Sequence, residues 1–262
     1  LHRMLEACIA SDQMAYPIHI KLDTGMHRLG FDHTEMEALG SLLVNHKEVQ
    51  IASVFSHLAG SEQETLDTFT TYQANLFDTM TKQIAQHVNY SFARHLCNSS
   101  GIVRHAHLHY DMVRLGLGLY GIDSTGKMIP SLRNVSRLKT SIAQVKKVSA
   151  SETVGYNRKG VLQRDTLIGT VCIGYADGVP RRLGNGKGFM LIHNTLVPII
   201  GNVCMDMCML DITDLPETKE GDTVEIFGEQ YPVTEVAIAA DTIPYEILTG
   251  ISQRVKRIYF EE

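Results

Sequence analysis

The sequence predicts an α/β barrel half followed by a mainly β domain. Residues 1–133 read as the C-terminal half of a TIM-type (β/α)8 barrel, strands 5 to 8, and residues 134–262 as a β-rich domain. Three observations carry this. Apolar strand-like runs alternate with helix-like segments across the first part, which is the order of a parallel sheet. Each run ends in polar residues, as strands do at the reactive face of a barrel. A whole eight-stranded barrel takes about 250 residues, so the alternating part has room for half of one, and from Asn134 onward the texture is short strands and turns.

The chain opens at Leu1 in what reads as mid-helix, with Met4, Leu5 and Ile9 on one side, and without an initiating Met it is expected to be a piece of something longer. From Pro17 to Asp23, Ile18, Ile20 and Leu22 alternate with His19, Lys21 and Asp23, the period of a strand with one polar face. The loop TGMHRLGF brings Gly25, Arg28 and Gly30, and Thr34–Asn45 follows as a helix with Met36, Leu39 and Leu43 inward. Ile51–Phe55 is a second, buried strand closed by Ser56-His57. A long helix then starts at Ser61, with Glu64 completing a capping box and Leu66, Phe69, Leu76, Met80 and Ile84 as its stripe. A third strand, Phe92–Cys97, ends in Asn98-Ser99-Ser100-Gly101, and a fourth, Met112–Leu115, ends in the glycine-rich RLGLGLYG.

In the second part the expected strands are Leu138–Val148, Thr166–Tyr175, Phe189–His193, Leu196–Val203, Met205–Ile212 and Thr223–Gly228. Short helical patches follow Val233 and Tyr245, and a last strand spans Val255–Phe260. The stretch Ile168–Gly186 is the pivot, because its β-branched run delivers Tyr175, Asp177, Arg181 and Arg182 to a rim before an Asn-Gly turn.

Composition narrows the function. Hydrophobic residues are 44% and charged residues 20%, with no unbroken apolar run long enough for a membrane span, so a soluble protein is expected. A net charge of -5 gives no footprint for nucleic acid and favours a small-molecule partner. Cys8, Cys97, Cys172, Cys204 and Cys208 have neither disulfide nor zinc spacing, which points to reduced thiols, a cytoplasmic location and no metal. Barrels often bind phosphate in the loops after their last two strands, through backbone N–H groups and small hydroxyls. Asn98-Ser99-Ser100-Gly101 and Arg114-Leu115-Gly116 stand at those ends and together point to a phosphorylated cofactor, with His57 within reach of it.

The segments HIKLDTGMHRLGF, SHLAGSE, CNSSG, DMVRLGLGLYGI, VGYNR, IGYADGVPRRLGNG, GNVCMDM and DTIPYEI, in this order over nearly the whole chain, resemble those of the alanine racemases. These are fold-type III pyridoxal-phosphate enzymes built of a barrel and a β domain. The resemblance implies interconversion of L- and D-alanine for peptidoglycan synthesis by two-base proton exchange at the α-carbon, in a head-to-tail homodimer. It implies that Arg114 faces the pyridine nitrogen, where a permanent cation weakens the ring as an electron sink and favours simple proton exchange. Tyr156 is implied as one of the two bases, acting in the partner subunit's site. A free tyrosine has a pKa of about 10, so it needs a cationic or hydrogen-bonded neighbourhood, which the family supplies through the residues matching His57 and Arg114. Asn98, Ser99, Gly116, Leu117 and Tyr245 are implied to hold the phosphate end. Arg28 is implied to bond the phenolic oxygen and the substrate carboxylate, and Tyr175, Met205 and Asp206 to line the substrate entrance. Lys21 matches a lysine that many members carbamylate, and an ion pair with Asp23 or another carboxylate is its alternative.

The family's N-terminal strand, with the lysine that holds the cofactor as a Schiff base, has no match in these 262 residues, so the chain alone is expected to be a poor or inactive racemase. Some bacterial relatives carry a cell-wall ligase ahead of the racemase, and a bifunctional parent is compatible with the opening at Leu1. Two other readings stand beside this one. A non-catalytic fragment would supply a dimer interface and Tyr156, and a barrel-type amino-acid decarboxylase would carry a carboxylate where Arg114 stands. Substrate breadth, alanine against serine, is open.

Overall fold

Alternating Ile18 and Ile20 draw Tyr16–Lys21 into a strand, β1, whose apolar side chains are buried while Lys21 stays half-exposed. In the computed structural model, which describes residues 1–126 and 132–259, β1 pairs in parallel with β2 (Val49–Phe55), and β2 with β3 (Ala93–His95). Helices occupy the connections, as parallel pairing requires. The first helix, α1 (His2–Ala10), precedes β1. Next, α2 (Met36–Asn45) joins β1 to β2, α3 (Asp67–His87) joins β2 to β3, and α4 (Ser99–Arg104) follows β3. Leu22, Met36, Phe77, Met80, Ile84 and Leu96 are almost wholly buried in one shared core.

Four sequence expectations are corrected in this part. In α1 the buried residues are Leu5 and Cys8, while Met4 and Ile9 are exposed. The stripe of α3 runs through Thr70, Gln73, Ala74, Phe77, Met80, Thr81 and Ile84, leaving Leu66 exposed and Phe69 and Leu76 only half-buried. Gln73 can face inward because it is satisfied there: its Nε2 donates to the His57 carbonyl at 3.0 Å and its Oε1 accepts from the Ala59 N–H at 2.9 Å. The capping box at Ser61 and Glu64 does not form, since the Ser61 hydroxyl donates to Asn98 Oδ1 at 2.8 Å and a 3-10 turn precedes α3. A capping box does form at Asp32 and Glu35, at the start of the 3-10 turn before α2. Finally, Met112–Leu115 is not a strand. With β3 only three residues long, the segment meets it through two separated bonds, Asp111 N–H to the Arg94 carbonyl and Arg114 N–H to the Cys97 carbonyl.

The chain divides into two compact units, Leu1–Arg133 and Asn134–Glu262. In the second, β4 (Leu138–Val148), β7 (Thr166–Val171), β8 (Phe189–Ile192), β9 (Thr195–Ile200), β10 (Cys208–Asp211) and β11 (Thr223–Phe227) close a six-stranded barrel in the order β10-β7-β4-β11-β8-β9. Between β4 and β7, β5 (Thr153–Val154) and β6 (Gly160–Val161) form a small antiparallel pair, and α5 (Val233–Ala239) and α6 (Pro244–Gly250) end the unit. The β8–β9 hairpin turns on His193 and Asn194, both at positive φ, the geometry that matches strand twist.

Three expected strands end short because their ends are turned into loops that bond one another. Tyr175 and Ala176 donate their N–H groups to the carbonyls of Cys204 and Met205. At Gly174 a Cβ would come within 2.3 Å of both carbonyl oxygens, so only glycine admits that approach. The last strand, Val255–Phe260, is not found in residues 255–259, and Phe260 lies outside the described residues. Arg257 instead donates to the carbonyls of Ile251, Ser252 and Val255, winding the segment back on itself. Among the described residues no helix is long and apolar enough to cross a membrane.

Phe77→Ala is expected to lower the unfolding free energy by about 3–5 kcal/mol, and Ile9→Ala by less than about 0.5 kcal/mol. Urea unfolding measures both, and equal losses would contradict the buried face assigned to each helix.

Candidate active site

The carboxyl ends of the parallel strands carry a compact polar cluster centred on Arg114. Its Nη1 donates to His95 Nδ1 at 2.6 Å and to the His95 carbonyl at 3.2 Å. Its Nη2 donates to the carbonyls of Ser56 at 2.6 Å and Leu96 at 3.1 Å, and to His57 Nδ1 at 3.4 Å. The guanidinium also lies 5.4 Å from the Phe55 ring centroid, within cation–π range. Three main-chain carbonyls and two imidazoles satisfy the cation's donors without cancelling its charge, and among the described residues no carboxylate acts on it.

That uncancelled charge sets the electrostatics around it. Burial first, then the positive charges of Arg114, Arg28 and Lys21, bring the His57 pKa down to about 4. The His95 pKa also falls to about 4, from burial first, then Arg114 and His19. Lys21 is lowered by burial, by Arg28 and by Arg114, with Asp23 acting the other way. An ion pair of Lys21 with Asp23 is absent among the described residues. The Asp23 carboxylate instead accepts the N–H groups of Gly25 and His27 and lies 3.5 Å from the His27 ring. Lys21 on β1, Arg28 on its loop and Arg114 after β3 thus form a cationic patch around the neutral His57 at the end of β2.

The second strand-end loop holds the expected phosphate residues. Asn98 caps α4, its Oδ1 accepting the Gly101 N–H at 2.9 Å as well as the Ser61 hydroxyl. Ser99 Oγ accepts the N–H groups of Gly116 at 2.8 Å and Gly118 at 3.4 Å. A hydroxyl and two backbone N–H groups therefore converge, with Leu117 buried beside them. At Gly118 a Cβ would meet Leu115 Cδ1 at 2.5 Å, the movable end of an exposed side chain.

The second unit groups another set. Tyr175 is bonded through its backbone to Cys204, and its neighbour Ala176 to Met205; Tyr175, Met205 and Asp206 are solvent-exposed. Arg254 joins both loops, its Nε donating to Asp177 Oδ1 at 2.7 Å and its Nη2 to Asp206 Oδ1 at 2.6 Å. Tyr156 is exposed, on a turn after β5 where Asn157 takes a left-handed φ of 57° and the Tyr156 carbonyl accepts from Asn202 Nδ2 at 3.0 Å. Tyr245 sits on α6 and is exposed.

Sequence reasoning missed His95, Ser53 and Arg254. The first two sit on strand faces whose alternation was visible, but a lone serine or histidine in a short strand carries no signal. Arg254 lies one residue ahead of the expected closing strand, Val255–Phe260, and was given no role there.

The family model for the alanine racemase N-terminal domain matches residues 2–124, and that for the C-terminal domain matches residues 135–259. Alanine racemase 1 of Clostridium acetobutylicum is 36% identical over 252 residues, covering 93% of this chain and 65% of the relative. The alanine racemase of Helicobacter pylori is 34% identical, covering 94% of the chain and 68% of the relative. The chain thus spans about two thirds of the length of these relatives. Among solved structures, alanine racemase from D-cycloserine-producing Streptomyces lavendulae superposes with a TM-score of 0.92 at 30% identity, covering all of this chain and 70% of the other. That of Bartonella henselae, with covalently bound pyridoxal phosphate, gives 0.88 at 32% identity, covering 99% and 70%.

The two depressed histidines dictate an acid response. Their ordinary pKa is about 6.5, so between that value and about 4 the unfolded chain binds protons that the native chain refuses. Stability is therefore level with respect to these groups above pH 6.5 and is lost as pH falls towards 4. Urea unfolding across this range measures it, and His57→Gln is expected to flatten part of the slope; a flat profile in the wild type would contradict the neutral histidines.

Proposed function

Because this chain belongs to the alanine racemase family, we propose that it carries the greater part of the site at which L- and D-alanine are interconverted with pyridoxal phosphate, supplying D-alanine for peptidoglycan. The observation that carries the reading is Arg114, a fixed cation with no carboxylate partner among the described residues, held by three carbonyls and two neutral imidazoles. A carboxylate at that place would suit chemistry needing a protonated ring, such as decarboxylation; a permanent cation suits simple proton exchange.

The residues fit the cofactor. Ser99 Oγ, held in place as the acceptor of the Gly116 and Gly118 N–H groups, keeps its own hydrogen to donate to a phosphate oxygen. Asn98 holds the N-terminus of α4 in place, and Leu117 adds its backbone to the phosphate end. When bound, the cofactor supplies the electron sink that acidifies the α-proton. Arg114 directs its positive charge at the ring nitrogen and keeps that nitrogen unprotonated. Arg28 meets the phenolic oxygen and the substrate carboxylate, two anionic partners for one exposed guanidinium. Lys21, whose cationic form is disfavoured by burial and by two arginines, is suited to react as the free amine with carbon dioxide. The resulting carbamate would turn a repulsive cation into an anion that orients Arg28.

Tyr156 would give and take the proton at the α-carbon on one face of the substrate, and the lysine that serves the other face in the family has no match in this chain. The phenol acts in the site of a partner subunit, so a head-to-tail homodimer is part of the proposal. Its exposed position on the turn after β5 is the observation that supports service to another chain. Tyr175, Met205 and Asp206 line the entrance, and a cytoplasmic location accords with a product that enters wall synthesis.

Pyridoxal phosphate is expected to bind this chain, but L-alanine added with it should give little or no D-alanine, measured with a D-amino-acid oxidase, because the Schiff-base lysine has no match in it. The chain joined to a relative's lysine-bearing N-terminal strand should racemise. Tyr156→Phe should lower the rate by at least about 100-fold, the contribution of a positioned acid–base group. Ser99→Ala should weaken cofactor binding by about tenfold. In the joined protein, cofactor binding without D-alanine would favour a non-catalytic assembly role, and neither binding nor turnover would overturn the reading. For Lys21, labelled bicarbonate should give a carbamate carbon resonance that vanishes in Lys21→Arg; its absence in the wild type would exclude the modification.

A further inference from the structure

Beyond the groups that face the cofactor, a chain of hydrogen bonds runs from Arg114 across all three parallel strands. Arg114 Nη1 meets His95 Nδ1 at 2.6 Å, His95 Nε2 meets Ser53 Oγ at 2.9 Å, and Ser53 Oγ meets His19 Nδ1 at 2.6 Å. The sheet register produces this line: His19 on β1 stands opposite Ser53 on β2, and Ser53 stands opposite Ala93, two residues before His95 on β3. Because strand side chains alternate, residues two apart share a face, and the three polar groups meet there.

The chemistry gives the first two bonds one direction. A guanidinium only donates, so His95 Nδ1 accepts and must be bare. The single ring proton of neutral His95 then sits on Nε2 and is donated to Ser53 Oγ. Ser53 Oγ is bonded in turn to His19 Nδ1, giving its own hydrogen to a bare Nδ1 or accepting a second bond from a protonated one, since a hydroxyl oxygen has two lone pairs. The directions at Arg114 and His95 are fixed, and Ser53 accepts from His95 in either case. His95 and Ser53 are 5% and 2% exposed, so water does not substitute for a lost partner there. The His95 ring is further fixed in plane by stacking on Phe55, centroids 5.0 Å apart and 3° from parallel.

We propose that Ser53 and His19 are positioning residues for Arg114. By holding the His95 ring as its Nε2–H tautomer in one orientation, they fix the direction in which the guanidinium presents its charge. The logic is that of a metal-bound histidine oriented through its other nitrogen, with an arginine in the place of the metal. The inference rests on Arg114 as the group facing the cofactor ring, but the positioning itself is a property of the chain.

The test is nitrogen-15 NMR on the protein as it stands, with Ser53→Ala, Ser53→Thr, His19→Leu and His19→Asn. Threonine keeps the hydroxyl, and asparagine places an acceptor oxygen near the position of Nδ1. The wild type is expected to show His95 protonated at Nε2 and separate resonances for the two Arg114 Nη groups. Both Ser53→Ala and His19→Leu should merge those resonances, and Ser53→Thr and His19→Asn should retain them. Should Ser53→Ala fail to fold, the exposed His19 position carries the comparison alone. In the cofactor-loaded protein joined to the lysine-bearing strand, Ser53→Ala should lower kcat by about tenfold, the effect of one lost hydrogen bond, with KM held within about twofold. Unchanged Arg114 and His95 resonances in Ser53→Ala and His19→Leu would overturn the proposal whatever the activity. Merged resonances with no alanine turnover in the joined protein would leave it standing and refute the racemase reading instead.

Discussion

A guanidinium held by carbonyls rather than carboxylates organises the first unit. An arginine buried beside an acid would be neutralised at short range, and its neighbours would titrate nearly as they do in water. Arg114 takes its bonds from Ser56, His95 and Leu96 oxygens, dipoles that satisfy its donors and leave its full charge in place. The consequences spread outward from it: His57 and His95 are kept neutral, the cationic form of Lys21 is disfavoured, and each imidazole is left to accept through a bare Nδ1. The carbonyls are available because they lie at the ends of β2 and β3, where the ladder stops and main-chain oxygens lack strand partners.

The same economy of main-chain groups recurs at the neighbouring turn. Ser99 Oγ draws in two backbone N–H groups from the segment after Arg114, so the donor cluster and the cation are set by one run of residues, 114–118. In the second unit the anchoring is ionic instead. Arg254 reaches Asp177 and Asp206 together, and Asp177 Oδ2 accepts the Gly174 N–H at 2.9 Å. An exposed pair alone is worth little, but one arginine tied to two loops that are also bonded to each other forms a network. Its role is to hold the Tyr175 and Met205 loops in register.

Much of this was legible in the sequence and some was not, for reasons visible at single residues. The alternation at Ile18, Ile20 and Leu22 and the burial of Met80 and Ile84 follow from period alone. Gln73 defeats the same reasoning, because hydropathy cannot register a polar side chain whose partners are main-chain atoms elsewhere. Ser61 was legible as a cap yet serves Asn98 instead, a choice made by a residue 37 positions away. The terminal segment had a strand's composition, but Arg257 folds it onto its own carbonyls.

By itself the sequence determined the two-part architecture, the order of strands and helices, and the side chains that bear charge or a hydroxyl at the strand ends, because these depend on residue type and local spacing. Only the tertiary structure decided that Arg114 is unpaired by any carboxylate among the described residues, that Lys21 and Asp23 do not meet, and that His19, Ser53 and His95 form one line. The reason is physical: the partners in question are carbonyl oxygens, which every residue carries, and neighbours on adjacent strands, whose register is fixed by packing far from the residues themselves.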